Sequence, residues 1–313
     1  MRRRIFVALA IAIAASSVRA QPTLAARLGY PSDAKLLIVH ADDLGMAHSV
    51  NAAAIKALET GLVNSASIMV PCPWFPEIAS YAREHSDADL GLHLTLTSEW
   101  TSFRWGPVLE KESVSSLLDS SGYLYATESE AAAHIDPQQA EAEIRAQIAR
   151  ARAAGIRPTH LDSHMGTLYQ NKALFEVLMR VARDEKLPAR ISRAHAEEPF
   201  RAALLRPDDV VIDRIISIGS DVPPEQWSRW YTDAIRKIEP GVTEIIVHLA
   251  HDDAEMRAIT VNHPHWGAGW RQRDFDFFTS KEFRRLLRDN NIHLITWREV
   301  AKAESFGIQF HSP

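Results

Sequence analysis

Leu36-Leu37-Ile38-Val39-His40-Ala41-Asp42-Asp43-Leu44-Gly45 decides the fold. Residues 36–39 are apolar without a break, and Pro31, Ser32 and Asp33 bound the run upstream. Such a run reads as a strand buried on both faces, the kind found in parallel sheets. A helix follows, with Ser49 or Asn51 as the expected cap before Ala52, Ala53, Ile55 and Leu58, and Gly61 just past its end. Asp42 and Asp43 are therefore expected in a βα loop at the carboxyl end of a strand. In parallel α/β folds that end gathers ligands and catalytic groups. The same Asp-Asp-x-Gly also suits a plain turn into the helix, so the rest of the chain has to decide.

Outward from that stretch, strand and helix patterns alternate with no linker or low-complexity break. Candidate strands cover residues 36–40, 66–70, 90–96, 159–163, 189–192, 210–215, 244–249 and 292–296. Asp136 with Pro137 starts one helix, which Gly155 closes. Residues 171–186 carry Leu174, Val177, Leu178 and Val181 on one face and stop before Pro188. Further helices are expected over 223–238 and after Ser280. Alternation of this kind implies a parallel sheet, either a (β/α) barrel or an open doubly wound sheet. No Gly-rich phosphate loop follows the first strand, which disfavours a nucleotide-binding version.

Composition sets the outer bounds. The chain has 313 residues, 46% hydrophobic and 24% charged, enough for a sizeable core. Arg2, Arg3 and Arg4 precede an apolar run over 5–15, and Val18-Arg19-Ala20 offers small residues where a signal peptidase cuts. Residues 1–20 are thus expected to be a signal peptide, cleaved before Gln21, and the mature protein exported to the periplasm or secreted. The run is short for a membrane span of ~20 residues, so no stable membrane insertion is expected. Losing residues 1–20, which hold four arginines and no acid, takes the formal charge from −5 to −9. An acidic surface argues against a nucleic-acid partner. Cys72, the single cysteine, allows no internal disulfide and reads as a buried small hydrophobe.

Three more strands carry ionisable groups near their ends. His93 sits in Leu90-Gly91-Leu92-His93-Leu94-Thr95-Leu96, where a core histidine is the simpler reading. In Thr159-His160-Leu161-Asp162-Ser163-His164, alternation puts His160, Asp162 and His164 on one face. Three such groups facing a sheet interior are costly unless paired, hydrogen-bonded or bound to metal. His248 ends the apolar run 244–247. A carboxylate with two imidazoles is a common divalent-metal site, and a nearby second carboxylate can act as a base. No Gly-x-Ser-x-Gly elbow is present. Adjacent aspartates do not by themselves supply the two flanking carboxylates of a glycosidase.

The strings ADDLG (41–45), GLHLTL (91–96), THLDSH (159–164), TEIIVH (243–248), RQRDFDFFTS (271–280) and TWREV (296–300) together resemble the YdjC-like carbohydrate deacetylases, the chitooligosaccharide deacetylase family. The likeness covers about residues 36–300. It implies an α/β fold, an irregular TIM-like (β/α) barrel forming a single domain over 21–313. It also implies metal-dependent removal of acetyl groups from an N-acetylated mono- or oligosaccharide substrate. By the resemblance, Asp43, His93 and His164 hold a divalent metal ion, zinc or magnesium, and Asp42 is the general base. His248 protonates the leaving amine or stabilises the oxyanion, with His251 a second candidate. Arg271 orients a carboxylate or touches sugar, with Arg273 close by in sequence, and His160 and Asp162 support the site from behind. Trp266, with Trp270, Trp100 and Trp105, is a candidate for stacking on sugar rings, and packing under long loops is the other reading. The remaining alternatives are a metal-dependent ester hydrolase and an inactive glycan-binding barrel.

Overall fold

The strand that begins the argument runs over Lys35–Leu44 (β1), longer than expected, with nine of its ten residues buried. The computed structural model describes residues 23–307, so the expected signal peptide lies outside the described residues. The other strands are Ser65–Ile68 (β2), Leu90–Leu94 (β3), Leu161–Ser163 (β4), Arg214–Ser217 (β5), Gly241–Val247 (β6) and Ile292–Leu294 (β7). All pair in parallel, in the order β4-β3-β2-β1-β6-β5, with β7 joined to β1.

β1 is the hub because it is paired along both edges. One edge takes β6 from Lys35 to Ala41, and the other takes β7 at residues 35–37 and β2 from His40 upward. Asn64 fills the seam: its Oδ1 accepts from Val39 N at 2.9 Å and its Nδ2 donates to Ile295 O at 2.6 Å. The sheet curls into an irregular barrel in a single domain, with helices such as Pro137–Ala153 and Lys172–Glu185 outside it. Asp136 caps the first of them as expected, and Asn171 caps the second.

Three expectations fail in instructive ways. Residues 189–192 form no strand. They cross the gap between β4 and β5 through single bridges, Leu161 to Ala189 and Ser192 to Ile212. The sixth candidate, 210–215, shifts to Arg214–Ser217 and is only half-buried. The first helix, His48–Glu59, starts after Ala47 rather than at Ser49 or Asn51. Both expected caps have other work: Ser49 Oγ bonds Asp253 and Glu255, and Asn51 Oδ1 takes the Gly45 N–H at 2.7 Å. The Glu255 carboxylate, 206 residues away in sequence, accepts the Ser49 N–H instead. It thereby satisfies one of the orphan donors of the first turn.

Candidate active site

β1 ends in the feature that builds the site. Period-two alternation would send Asp42 and Asp43 to opposite faces, but Asp43 has φ +72°, a left-handed conformation rare outside glycine. Gly45 follows with φ +91°, and a Cβ there would come 3.1 Å from Met69 O. The resulting bend brings both carboxylates to the wall of one pocket of about 460 Å³ at the carboxyl end of the sheet. Both aspartates are buried and sit within the end of the strand, not in the loop that was expected.

Asp43 faces two imidazoles. Its Oδ1 lies 3.4 Å from His93 Nε2 and 3.4 Å from His164 Nδ1, yet makes no hydrogen bond. Its Oδ2 accepts from Arg271 Nη2 at 2.7 Å. Burial would raise the Asp43 pKa, but Arg271 and the two histidines outweigh it and hold the carboxylate well below the usual range. The far nitrogens of both imidazoles are anchored by acids: His93 Nδ1 on Asp162 at 2.7 Å and His164 Nε2 on Glu99 at 2.9 Å. Burial alone would lower the His164 pKa, but Glu99 and Asp43 raise it to about 9. The donor atoms of Asp43, His93 and His164 lie within 4.8 Å of one another.

Asp42 belongs to a second, deeper cluster. Arg190 Nη1 is 3.0 Å from Asp42 Oδ1 and 2.9 Å from Asp162 Oδ2, and His40 Nε2 is 3.0 Å and 3.2 Å from the same two oxygens. Against the cost of burial, Arg190 keeps Asp42 ionised far into acid. Burial would push the His40 pKa down, yet Asp162 and Asp42 raise it to about 9. Other sets of buried groups, such as His40, His160 and Asp162, also lie close together, but there the charge of Asp162 is already opposed by Arg190 at 2.9 Å.

His248 stands one residue past β6 and lines the same pocket. Its backbone N–H donates to Asp274 Oδ2 at 3.0 Å, and burial pushes its imidazole pKa down to about 4. His251 is elsewhere, packed edge-on against Phe275.

A family model for YdjC-like protein matches residues 36–289. The chain belongs to the YdjC-like family. It is 32% identical to a carbohydrate deacetylase of Thermus thermophilus, over 86% of this chain and 95% of that one. It is 27% identical to a carbohydrate deacetylase of Thermoanaerobacter pseudethanolicus, over 84% and 98%. The crystal structure of a proposed cellobiose-phosphate cleavage protein from Enterococcus faecalis is similar, with TM-score 0.70 and 27% identity, over 85% of this chain and 99% of that one.

Within this YdjC-like chain the structure brings together Asp42, Asp43, His93, His164, His248, Arg271 and Trp266 on one pocket. Arg271 rather than Arg273 faces it, since Arg273 stacks over Trp227 at 4.6 Å. The carboxylate that Arg271 orients is Asp43, not Asp42. Trp266 is 38% exposed and stacks on buried Trp270, whereas Trp100, Trp105 and Trp270 are packed inside. Asp162 stands directly behind His93. His160 is one step further off, stacked on Trp297 and edge-on to His40.

Four contributors escaped the sequence reading: His40, Glu99, Arg190 and Asp274. His40 carried a usable signal, because two residues before Asp42 on one strand means the same face. The others are brought in by non-local packing.

Proposed function

We propose that this chain is a carbohydrate deacetylase, a metal-dependent hydrolase that removes acetyl groups from N-acetylated sugars. The observation that carries the reading is Asp43 Oδ1, a buried carboxylate oxygen with no hydrogen bond that faces two imidazole nitrogens. A buried acceptor left bare costs about 1–3 kcal/mol, and an Asp/His₂ donor set suits zinc and other divalent ions. Asp43, His93 and His164 would hold the ion, which when bound polarises the acetyl carbonyl and acidifies water.

The chain's own residues do the rest. Asp42, ionised and fixed by His40 and Arg190, takes the proton of the attacking water. Asp162 and Glu99 set the orientation of His93 and His164 through their second nitrogens. His248, neutral near pH 7, donates a hydrogen bond to the reacting amide as negative charge builds on its oxygen. Trp266, exposed at the mouth, offers a face for a sugar ring. The proton taken from water is passed on to the leaving nitrogen as the C–N bond breaks, and the products are acetate and a free amino sugar.

The test is acetate release from N-acetylated mono- and oligosaccharides by stripped and by zinc- or magnesium-loaded protein, with Asp42→Asn beside them. Metal-dependent release abolished by the substitution supports the reading. Release that survives metal removal, or Asp42→Asn turning over at the parent rate, refutes it. We also propose export, on the signal-like sequence of residues 1–20, and a mature chain starting at Gln21 is its check. No helix among the described residues is long and apolar enough to cross a membrane.

A further inference from the structure

A short segment, residues 261–267, joins the helices Ala254–Ile259 and Ala268–Phe278 at the rim of the pocket. Its backbone is held at few points. Of its backbone N–H groups, only that of His263 donates a hydrogen bond among the described residues, to Thr260 O at 2.9 Å. Val261 and Trp266 are exposed. Segments with few internal hydrogen bonds and little buried apolar surface open far more readily than the helices beside them.

Asn262 (φ +66°) and Trp266 (φ +55°) bracket residues 263–265, and both are left-handed. Non-glycine residues keep that conformation only where the surroundings hold it. Trp266 is held from behind: its carbonyl accepts from Arg271 Nε at 2.6 Å, and its ring stacks on Trp270 at 5.0 Å. Gly267 lets the chain double back, since a Cβ there would come 2.1 Å from His263 O. Towards the other end, the hold is a side-chain contact across the rim. His263 Nε2 shares a hydrogen bond with Thr101 Oγ1 at 3.1 Å, and its ring meets Trp100 edge-on at 5.0 Å. Trp100 and Thr101 lie in the loop after β3, so this contact joins two loops of the pocket rim. Behind the segment lies an open hollow of about 320 Å³, lined in part by Asn262, His263 and Pro264. His263 therefore borders both the pocket and the hollow, and the segment has room to swing from one toward the other.

We propose that residues 262–266 form a lid over the pocket, hinged at Asn262 and Trp266 and latched closed by His263 on Thr101 and Trp100. Hinges of this kind are a few residues that absorb the backbone change while the elements beside them stay in place. Closed, the lid retains a bound molecule; open, it lets product leave. It governs access to the site and leaves the reacting bond alone, so it stands beside the deacetylase reading, and only the acetate measurement below rests on that reading.

Fluorine NMR of protein carrying 5-fluorotryptophan reads the latch, because the Trp100 ring lies against the His263 ring. Trp100→Phe identifies the signal. In metal-free and zinc-loaded protein the Trp100 signal should show relaxation dispersion on the μs–ms scale of lid motions. That of Trp297, buried against His160, should show none. Thr101→Val deletes the rim hydroxyl and keeps the branched shape, and it should raise the open fraction at least threefold. For acetate release from a disaccharide of β-1,4-linked N-acetylglucosamine, His263→Ala should raise KM at least threefold and leave kcat no lower than the parent's. A Trp100 signal without exchange, or one indifferent to Thr101→Val, overturns the lid. So does a kcat that falls in step with kcat/KM in His263→Ala, which would put His263 in the chemistry. If neither parent nor variant releases acetate, the deacetylase reading falls, and the fluorine result alone upholds or overturns the lid.

Discussion

Replacing Arg190 with methionine removes the guanidinium that, beside the His40 imidazole, touches both Asp42 and Asp162. The guanidinium is 5% exposed, and its Nη1 lies 3.0 Å and 2.9 Å from the two carboxylates. Opposite charges about 4 Å apart attract by about 4 kcal/mol at an effective dielectric of 20. Breaking a buried pair by deleting one partner costs about 3–5 kcal/mol, because the other charge is left behind. In a chain of this size that corresponds to a loss of roughly 5–8 °C in Tm.

The same substitution also acts on the chemistry. Arg190 is the largest influence opposing burial at Asp42, so its removal raises the Asp42 pKa. An aspartate beside an arginine is lowered by about 1–3 units, and that much should be given back. A base whose native pKa is depressed stays ionised until strongly acid pH. Once its pKa rises, the acidic limb of kcat/KM moves up by a similar amount, and acid stability is lost at higher pH than in the parent. Arg190→Lys keeps the charge without the fork and should fall between the two. Thermal unfolding and the pH dependence of kcat/KM are the assays. Arg190→Met with an unshifted acidic limb would refute the argument that this arginine sets the state of Asp42.

Three other perturbations read different parts of the structure. Gly91→Ala would put a Cβ 2.4 Å from the His160 ring, which is trapped between His40 and Trp297. A loss of about 1–3 kcal/mol or more is expected from overpacking, and an unchanged melting curve would show that His160 has room to move. Asp274→Asn replaces an acceptor of the His248 N–H, Trp227 Nε1–H and Tyr231 O–H with a group that has one acceptor oxygen. It should cost about 1–3 kcal/mol of stability and lower kcat by displacing His248, whereas an intact kcat would separate His248 from this anchor. Zinc binding should release protons near pH 7, roughly up to two, since burial is outweighed by acids at His93 and His164 and both pKa values are raised, that of His164 to about 9. Affinity should therefore climb with pH, and calorimetry in buffers of different ionisation heat counts the protons; none released would place the ion elsewhere.

Much of the fold was legible because the strong signals were local. The apolar runs of β1, β3 and β6 and the capped helices after Asp136, Asn171 and Ser280 declare themselves in a few consecutive residues. The stretch that closes the barrel, residues 189–192, did not. It makes two isolated bridges, and no periodicity separates that from a short strand. The cap of the first helix failed for a related reason. Ser49 and Asn51 are good caps by type, but their side chains are claimed by Asp253, Glu255 and the Gly45 backbone, from which no local pattern withdraws them.

The site divides the same way, and the division explains how adjacent identical residues come to differ. Sequence places Asp42 and Asp43 side by side and says nothing of what distinguishes them. The structure distinguishes them by giving each its own arginine from a remote segment: Arg190 to Asp42, Arg271 to Asp43. Asp42 also shares His40 and Ser67 and is sealed among donors, while Asp43 keeps Oδ1 bare between two imidazoles. Held through Oδ1, Asp42 stays ionised and fixed, and its Oδ2, hydrogen-bonded only by Arg190 Nη2 at 3.5 Å, is the oxygen left to take a proton. A carboxylate with an open oxygen and two aligned nitrogens suits a cation. The positive φ at Asp43 makes the contrast possible, because it turns a residue that alternation would point away back onto the same pocket. The chemistry assigned to the pair thus depends less on the Asp-Asp motif than on two arginines and one backbone angle, of which sequence reading offered only Arg271.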